Sequence, residues 1–254
     1  MRTSEEKLAK SLSADSIDLI PYLPYLLQDI WELGSSPRTI MNLIEKHIPV
    51  SQDTKVLDLA CGKGAVSIQI AQVIRCQVKG LDIIPEFIDY AKGKAQDYQV
   101  ENHCKFFVRD IHDAVYVETD NDIVILGAAG DIFGDPEDTI LKLKRTIKPG
   151  GHIIIDDSYG NDGYKGKYPT RNEWLQVFQT TGVQLLEEIF SEKDEITRIN
   201  EEQQSHIRIR ACELKKKYPD KADMFDYYIK SQMDECNELE NELTGVTILL
   251  KKIP

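Results

Sequence analysis

Val56-Leu57-Asp58-Leu59-Ala60-Cys61-Gly62-Lys63-Gly64-Ala65 passes from an apolar run into a glycine pair and then into helical periodicity within ten residues. An apolar run bounded by glycine reads as a buried strand entering a tight turn, and Ala65–Arg75 carries the helical pattern beyond it. Gly62 and Gly64 have no Cβ, so a ligand can approach the backbone closely there. The first N–H groups of the following helix have no partners within the helix. The turn is therefore the first candidate site.

The same alternation continues on both sides of it. Val78–Asp82, Cys104–Arg109, Ile123–Leu126 and His152–Asp156 read as strands, with helical patterns over Pro85–Tyr98 and Pro136–Ile147. Pro149-Gly150-Gly151 is read as the break that ends the second of these helices and feeds the next strand. Strands alternating with helices predict an α/β fold with a mostly parallel, doubly wound sheet. Before this core, one helical segment is interrupted by Pro21 and Pro24, and a second starts with Ser36 as N-cap and Pro37 in the first turn. After it come a helix at Asn172–Thr181 and a strand at Val183–Phe190. Two amphipathic helices follow, with stripes of Ile207, Ala211, Leu214, Tyr218 and of Ala222, Phe225, Ile229, Met233, Cys236, and then a final strand at Leu243–Lys252. The expected organisation is a single domain over 1–254: an N-terminal helical lid at 1–50, a core at 51–190, a helical insert at 191–242 and the final strand at 243–254.

Bulk properties exclude several classes. The net charge of −12 over 254 residues weighs against DNA or RNA as substrate, because such binding draws on Lys and Arg set against phosphates. The basic run Lys142–Arg145 reads as a solvated helix face. The stretch 187–242 carries sixteen acids against nine bases, which marks a solvated insert and a candidate dimer surface, so monomer and homodimer both stay open. The five cysteines, at 61, 76, 104, 212 and 236, form no CxxC pair, so a disulfide framework or a structural zinc is not expected and a cytoplasmic location is. There is no stretch of 18 apolar residues, and MRTSEEKLAK has no apolar core, so neither a membrane span nor a signal peptide is expected.

Three cofactor loops compete for the turn at 56–65. A P-loop needs G-x-x-x-x-G-K-[ST], and Gly62-Lys63 is followed by Gly64. A dinucleotide fingerprint needs G-x-G-x-x-G, and its third position is Ser67. The pattern Asp58, Ala60, Gly62, Gly64 resembles motif I, D-x-G-x-G-x-G, of the class I Rossmann-like S-adenosylmethionine-dependent methyltransferases, with Ala60 in place of the first glycine. Charge favours the same choice, since a carboxylate at 58 suits an ammonium group and disfavours a pyrophosphate.

The resemblance implies a seven-stranded Rossmann-like sheet and a cofactor site built from Asp58, Ala60, Cys61, Gly62, Gly64, Asp82, Ile83, Asp110, Ile111 and Gly127. In it Asp58 lies near the methionyl amino end. Asp82, twenty residues after Gly62 at the end of the second strand, takes the ribose hydroxyls. Asp110 and Ile111, read as the end of the third strand, match the adenine position. Ile147-Lys148-Pro149-Gly150-Gly151 resembles the family's turn before strand five.

The acceptor is expected outside the carboxyl ends of the strands. Asp131, in the glycine-rich stretch Leu126–Gly134, and Asp157, after strand five, are candidates to take a proton or hold a cationic acceptor. Tyr159 is the aromatic expected to touch the acceptor, with Tyr22, Tyr25 and Trp31 as candidates to close over it. Leu126–Gly134 lacks the [DNS]-P-P-[YFW] form of amino-methyltransferases that act on DNA bases or protein glutamine. Asp131, Asp156 and Asp157 stand at places resembling the Mg²⁺ ligands of catechol O-methyltransferases. That family usually has Asp-Asn where this chain has Asp-Asp, and no metal is assigned. The expected function is methyl transfer from S-adenosylmethionine to a small molecule at O, N or C, with S-adenosylhomocysteine as product. A non-catalytic S-adenosylmethionine-binding protein and a nicotinamide-dependent oxidoreductase are the alternatives.

Overall fold

The computed structural model describes residues 6, 9, 12, 14 and 16–253. Most of MRTSEEKLAK, on which the signal-peptide reading rests, lies outside the described residues, as does Pro254. The chain divides into two compact units.

The larger unit comprises Trp31–Asp157, Pro169–Phe190 and the end of the chain from Val246. Its helices are α1 (Pro37–His47), α2 (Ala65–Ile74), α3 (Pro85–Asp97), α4 (Ile111–Val117), α5 (Pro136–Thr146) and α6 (Arg171–Thr181). The strands are β1 (Lys55–Leu59), β2 (Gln77–Asp82), β3 (Cys104–Val108), β4 (Asn121–Gly127), β5 (Ile147–Gly160), β6 (Val183–Phe190) and β7 (Leu243–Lys252). Among the described residues they form a seven-stranded sheet in the order β3-β2-β1-β4-β5-β7-β6. β1 pairs in parallel with β2 and β4, β2 with β3 and β4 with β5, whereas β6 and β7 are antiparallel.

Local chemistry explains the elements. In β1, Val56, Leu57 and Leu59 are buried, as expected for a strand covered on both faces. Helix α1 starts where the Ser36 hydroxyl accepts the Thr39 N–H, with Pro37 in the first turn. Ile40, Leu43 and Ile44 of α1 join Val56, Ile68, Val78, Ile88, Phe106, Ile123 and Ile154 in one apolar core. The strand order reverses between β1 and β4, so the crevice above their carboxyl ends is a topological switch point.

Three expectations need correction. Helix α5 stops at Thr146 and β5 begins at once: Ile147 pairs with Asn121, and a register shift then accommodates Pro149 ahead of the His152–Ile123 pairing. The segment 147–151 is therefore strand rather than a connecting turn. Strand β3 ends at Val108, so Asp110 and Ile111 do not close it. Asp110 instead caps α4, accepting the His112 N–H at 2.8 Å.

The smaller unit comprises the described residues up to Ile30, Ser158–Tyr168 and Ser191–Gly245. Its long helices α7 (Lys193–Lys217) and α8 (Ala222–Asn241) are joined through a 3₁₀ turn at Pro219–Lys221. Ile207, Ala211 and Leu214 of α7 are buried as the stripe predicts. In α8 the buried side chains are Phe225 and Tyr228, while Met233 is exposed, so its inner face is rotated from the predicted stripe. Among the described residues no helix is long and apolar enough to cross a membrane.

Candidate cofactor site

The glycine turn leaves β1 through three left-handed residues, with φ of +55° at Ala60, +52° at Gly62 and +75° at Gly64. A Cβ on Gly64 would lie 2.8 Å from the Phe106 ring and 2.9 Å from Ala91 Cβ, so helix and sheet close over this position only because the residue is glycine. Ala60 occupies its left-handed conformation without that freedom, which identifies the missing first glycine as a backbone requirement. Backbone bonds brace the turn: Cys61 N–H donates to the Leu81 carbonyl at 3.0 Å, and Gly64 N–H to the Cys61 carbonyl at 2.9 Å.

Two buried carboxylates flank it. Asp58, beside Ile125 in the β1–β4 register, accepts the Ser67 hydroxyl at 2.6 Å. Burial pushes its pKa up to about 7 against the pull of the Ser67 bond, and Asp82 adds to the rise. The residue that broke the dinucleotide fingerprint is thus the partner of Asp58. Asp82 accepts Gly62 N–H at 2.9 Å and Ile84 N–H at 2.9 Å, with a further bond from Ile83 N–H. Burial raises its pKa and those three bonds moderate the rise. Cys61 has its thiol pushed far up by burial and by both carboxylates, which keeps it neutral and unreactive.

Above the turn lies a pocket that is partly open to solvent. Asp58, Ala60, Cys61, Gly62 and Gly127 line it together, as do Trp31, Leu33 and Lys63. The buried Lys63 ammonium lies 4.9 Å from the Tyr90 ring centre and 5.8 Å from that of Phe87. Asp110 and Ile111 do not line the pocket; they stand at the start of α4, one residue beyond Arg109, whose N–H donates to the Asp82 carbonyl at 2.8 Å.

The contribution of residues 31–35 was not legible beyond Trp31. The only local signal is the small-residue run Gly34-Ser35-Ser36, which permits close approach. A Cβ on Gly127 would overlap the Ser35 hydroxyl, so this glycine makes room for the chain's own segment.

Asp131 is exposed in the turn after β4, and Asp157 is half-buried near the end of β5. Asp156 is a latch: it accepts Ser36 N–H at 3.2 Å and hydrogen bonds from the Ser35 and Thr247 hydroxyls, and burial pushes its pKa up to about 7. Among the described residues, no group of three or more His, Cys, Asp or Glu side chains is arranged to hold a metal ion. Tyr159 is buried in the smaller unit. Tyr22 and Tyr25 also belong to that unit: Tyr25 donates to Glu213 at 2.7 Å, and Tyr22 packs edge-on against Tyr218 and Phe225.

Residues 50–223 match the family model described as a methyltransferase domain. The chain belongs to the methyltransferase domain family. Its sheet is the Rossmann-like one of class I S-adenosylmethionine-dependent methyltransferases. The chain is similar to ajmaline N-methyltransferase from Rauvolfia serpentina, 30% identical over 131 residues that cover 48% of this chain and 45% of that protein. It is also similar to a probable cobalt-precorrin-6B C(15)-methyltransferase (decarboxylating) from Methanothermobacter thermautotrophicus, 29% identical over 42% of this chain and 53% of that protein. This methyltransferase domain chain thus spans about half the length of these curated relatives. The crystal structure of a methyltransferase from Geobacter sulfurreducens in complex with S-adenosylhomocysteine superposes with a TM-score of 0.76, covering 91% of this chain and 97% of that one. At 19% identity, that match speaks for the fold.

Proposed function

We propose that this protein binds S-adenosylmethionine and transfers its methyl group to a small-molecule acceptor. The observation that carries the reading is the buried Asp58 carboxylate lining the pocket above the glycine turn. A buried acid raised to about 7 is stabilised by an incoming ammonium, whereas a pyrophosphate in the same place would be repelled. The cofactor in the complex of the Geobacter sulfurreducens protein supports the same donor.

S-adenosylmethionine, when bound, supplies a methyl group on a sulfonium whose thioether leaves readily. The chain's task is then to position the reactants and exclude water. In this reading Asp58 holds the ammonium and Asp82 holds the ribose hydroxyls, with Ile83 beside it. Asp110 and Ile111 bound the adenine, Ala60, Cys61, Gly62 and Gly127 shape the wall, and Gly64, packed against Phe106 and Ala91, sets the turn that carries it. Asp131 and Asp157 take a proton from the acceptor or hold a cationic one, and Tyr159 orients it.

The whole chain acts as one catalytic domain in this reading, with the segments 1–50 and 191–242 selecting the acceptor. The names of the relatives, an N- and a C-methyltransferase, support a small molecule and leave O, N and C for assay. The net charge of −12 speaks against nucleic acid, and five cysteines without a disulfide suit the cytoplasm. The protein works as a monomer or homodimer.

Calorimetry with S-adenosylhomocysteine and with NAD tests the donor. Binding of the former alone is expected, with Asp58→Ala abolishing it while the fold persists. A preference for NAD refutes the assignment, and unchanged affinity in Asp58→Ala refutes the placement of the ammonium at Asp58. Transfer of labelled methyl to a metabolite pool tests catalysis, and persistent absence of transfer by a chain that binds the cofactor marks a binding protein instead.

A further inference from the structure

Residues 31–36 run without helix or strand into the start of α1, and they meet the carboxyl ends of three strands in turn. Beyond β1, Trp31 Nε1–H donates to the Lys63 carbonyl at 3.1 Å, and Leu33 Cδ1 lies 3.1 Å from where a Cβ on Gly62 would stand. Beyond β4, Gly34 sits so close that a Cβ on it would lie 2.7 Å from Ala128 Cβ, and Ser35 occupies the space left by Gly127. On β5, Asp156 accepts the Ser36 N–H. The segment is a strap fixed at both ends. The Trp31 ring is further held against Tyr98, with ring centres 5.4 Å apart, and beneath the Lys94 ammonium.

What the strap holds is a turn with a conformational weakness. Ala60 has φ +55° in the place where the related motif has glycine, and an alanine disfavours that conformation. The braces on Cys61, Gly62 and Gly64 N–H come from the turn itself and from β2. The bond to the Lys63 carbonyl comes from the strap. Lys63 is buried, and a buried carbonyl held by a fixed donor keeps its peptide plane in one orientation.

We propose that Trp31 is a positioning residue: through the Lys63 carbonyl it holds the glycine turn in the shape that receives S-adenosylmethionine, offsetting the alanine at position 60. The inference rests on the cofactor reading given above. Trp31 also lines the pocket, but its hold on the turn runs through the indole N–H.

Calorimetry with S-adenosylhomocysteine on the full chain, with thermal melts alongside, tests this. Trp31→Phe keeps an aromatic ring against Tyr98 and removes the donor; it is expected to raise Kd about tenfold, the scale of one lost buried hydrogen bond. Ala60→Gly alone is measured as the reference for the double variant. Added to Trp31→Phe it is expected to return most of the loss, because glycine takes the left-handed conformation without a clamp. Equal Kd in the wild type and Trp31→Phe overturns the proposal, and so does a loss that Ala60→Gly leaves in full. A wild-type chain that binds no S-adenosylhomocysteine overturns the cofactor reading and this one with it. Tight binding by the wild type with an unaltered Trp31→Phe overturns this one alone.

Discussion

Asp58→Asn separates what the buried acid does for the site from what it costs the fold. The carboxyl rises from an ordinary 3.8 to about 7, chiefly through burial. At about 1.36 kcal/mol per pH unit, ionising it in the ligand-free fold costs roughly 4 kcal/mol. The sign follows from proton counting. Between pH 3.8 and about 7 the folded state retains a proton that the unfolded chain has lost, so stability falls as pH rises through that window and the penalty is complete above it. Asparagine has nearly the same shape, keeps an oxygen to accept the Ser67 hydroxyl and cannot ionise. Thermal melts should therefore show the variant more stable than the wild type at pH 8, by on the order of 2–4 kcal/mol, and nearly equal to it at pH 4. Binding should move the other way. As Asp58 ionises, from about one tenth at pH 6 to about nine tenths at pH 8, wild-type affinity for S-adenosylhomocysteine should rise about tenfold, whereas Asp58→Asn should bind weakly with no such rise. Asp156, also raised to about 7, is present in both proteins, so its titration cancels in the comparison. A variant no more stable than the wild type at pH 8, or one that keeps the tenfold rise, refutes the reasoning.

Gly64→Ala should destabilise the fold by about 2–4 kcal/mol in urea titrations, because the new Cβ meets Phe106 and Ala91 below 3.0 Å at a φ of +75°. Gly127→Ala should leave far-UV dichroism unchanged yet weaken S-adenosylhomocysteine binding about tenfold or more, since its methyl displaces Ser35 and with it the strap. Asp157→Asn should retain cofactor affinity in calorimetry and lower the methyl-transfer rate about a hundredfold if the residue takes the acceptor's proton.

Where residue pattern and backbone requirement coincide, the sequence was legible. β1 is an apolar run that ends at a turn requiring left-handed residues, and α1 announces itself through Ser36 and Pro37. Val183–Phe190 and Leu243–Lys252 match their predicted bounds. Elsewhere two signals conflicted. Pro149-Gly150-Gly151 reads as a break, yet a register shift against β4 lets the strand run through it from Ile147. Helix α4, at seven residues, is too short to display a helical period, so its cap Asp110 was read as a strand end. In α8 the exposed Met233 and buried Tyr228 show tertiary contacts overriding a plausible stripe.

The strap marks the limit of what a glycine can reveal. The residue type shows that something approaches the backbone, but not what. Gly64 makes room for Phe106, Gly127 for Ser35, and Gly62 for Leu33, so in each case the neighbour is this chain's own side chain. Had glycines been the whole argument for a cofactor, the structure would have removed it. Charge carries it instead: Asp58 is buried at the pocket wall, and that burial outweighs the Ser67 hydroxyl bond and disfavours the ionised form until a cation arrives. Acceptor choice has no comparable signal, because residues that select a substrate on this fold follow no fixed spacing from the turn. A pattern with a physical cost attached, such as a buried acid or an alanine at positive φ, therefore carries more functional information here than one defined by permissive residues.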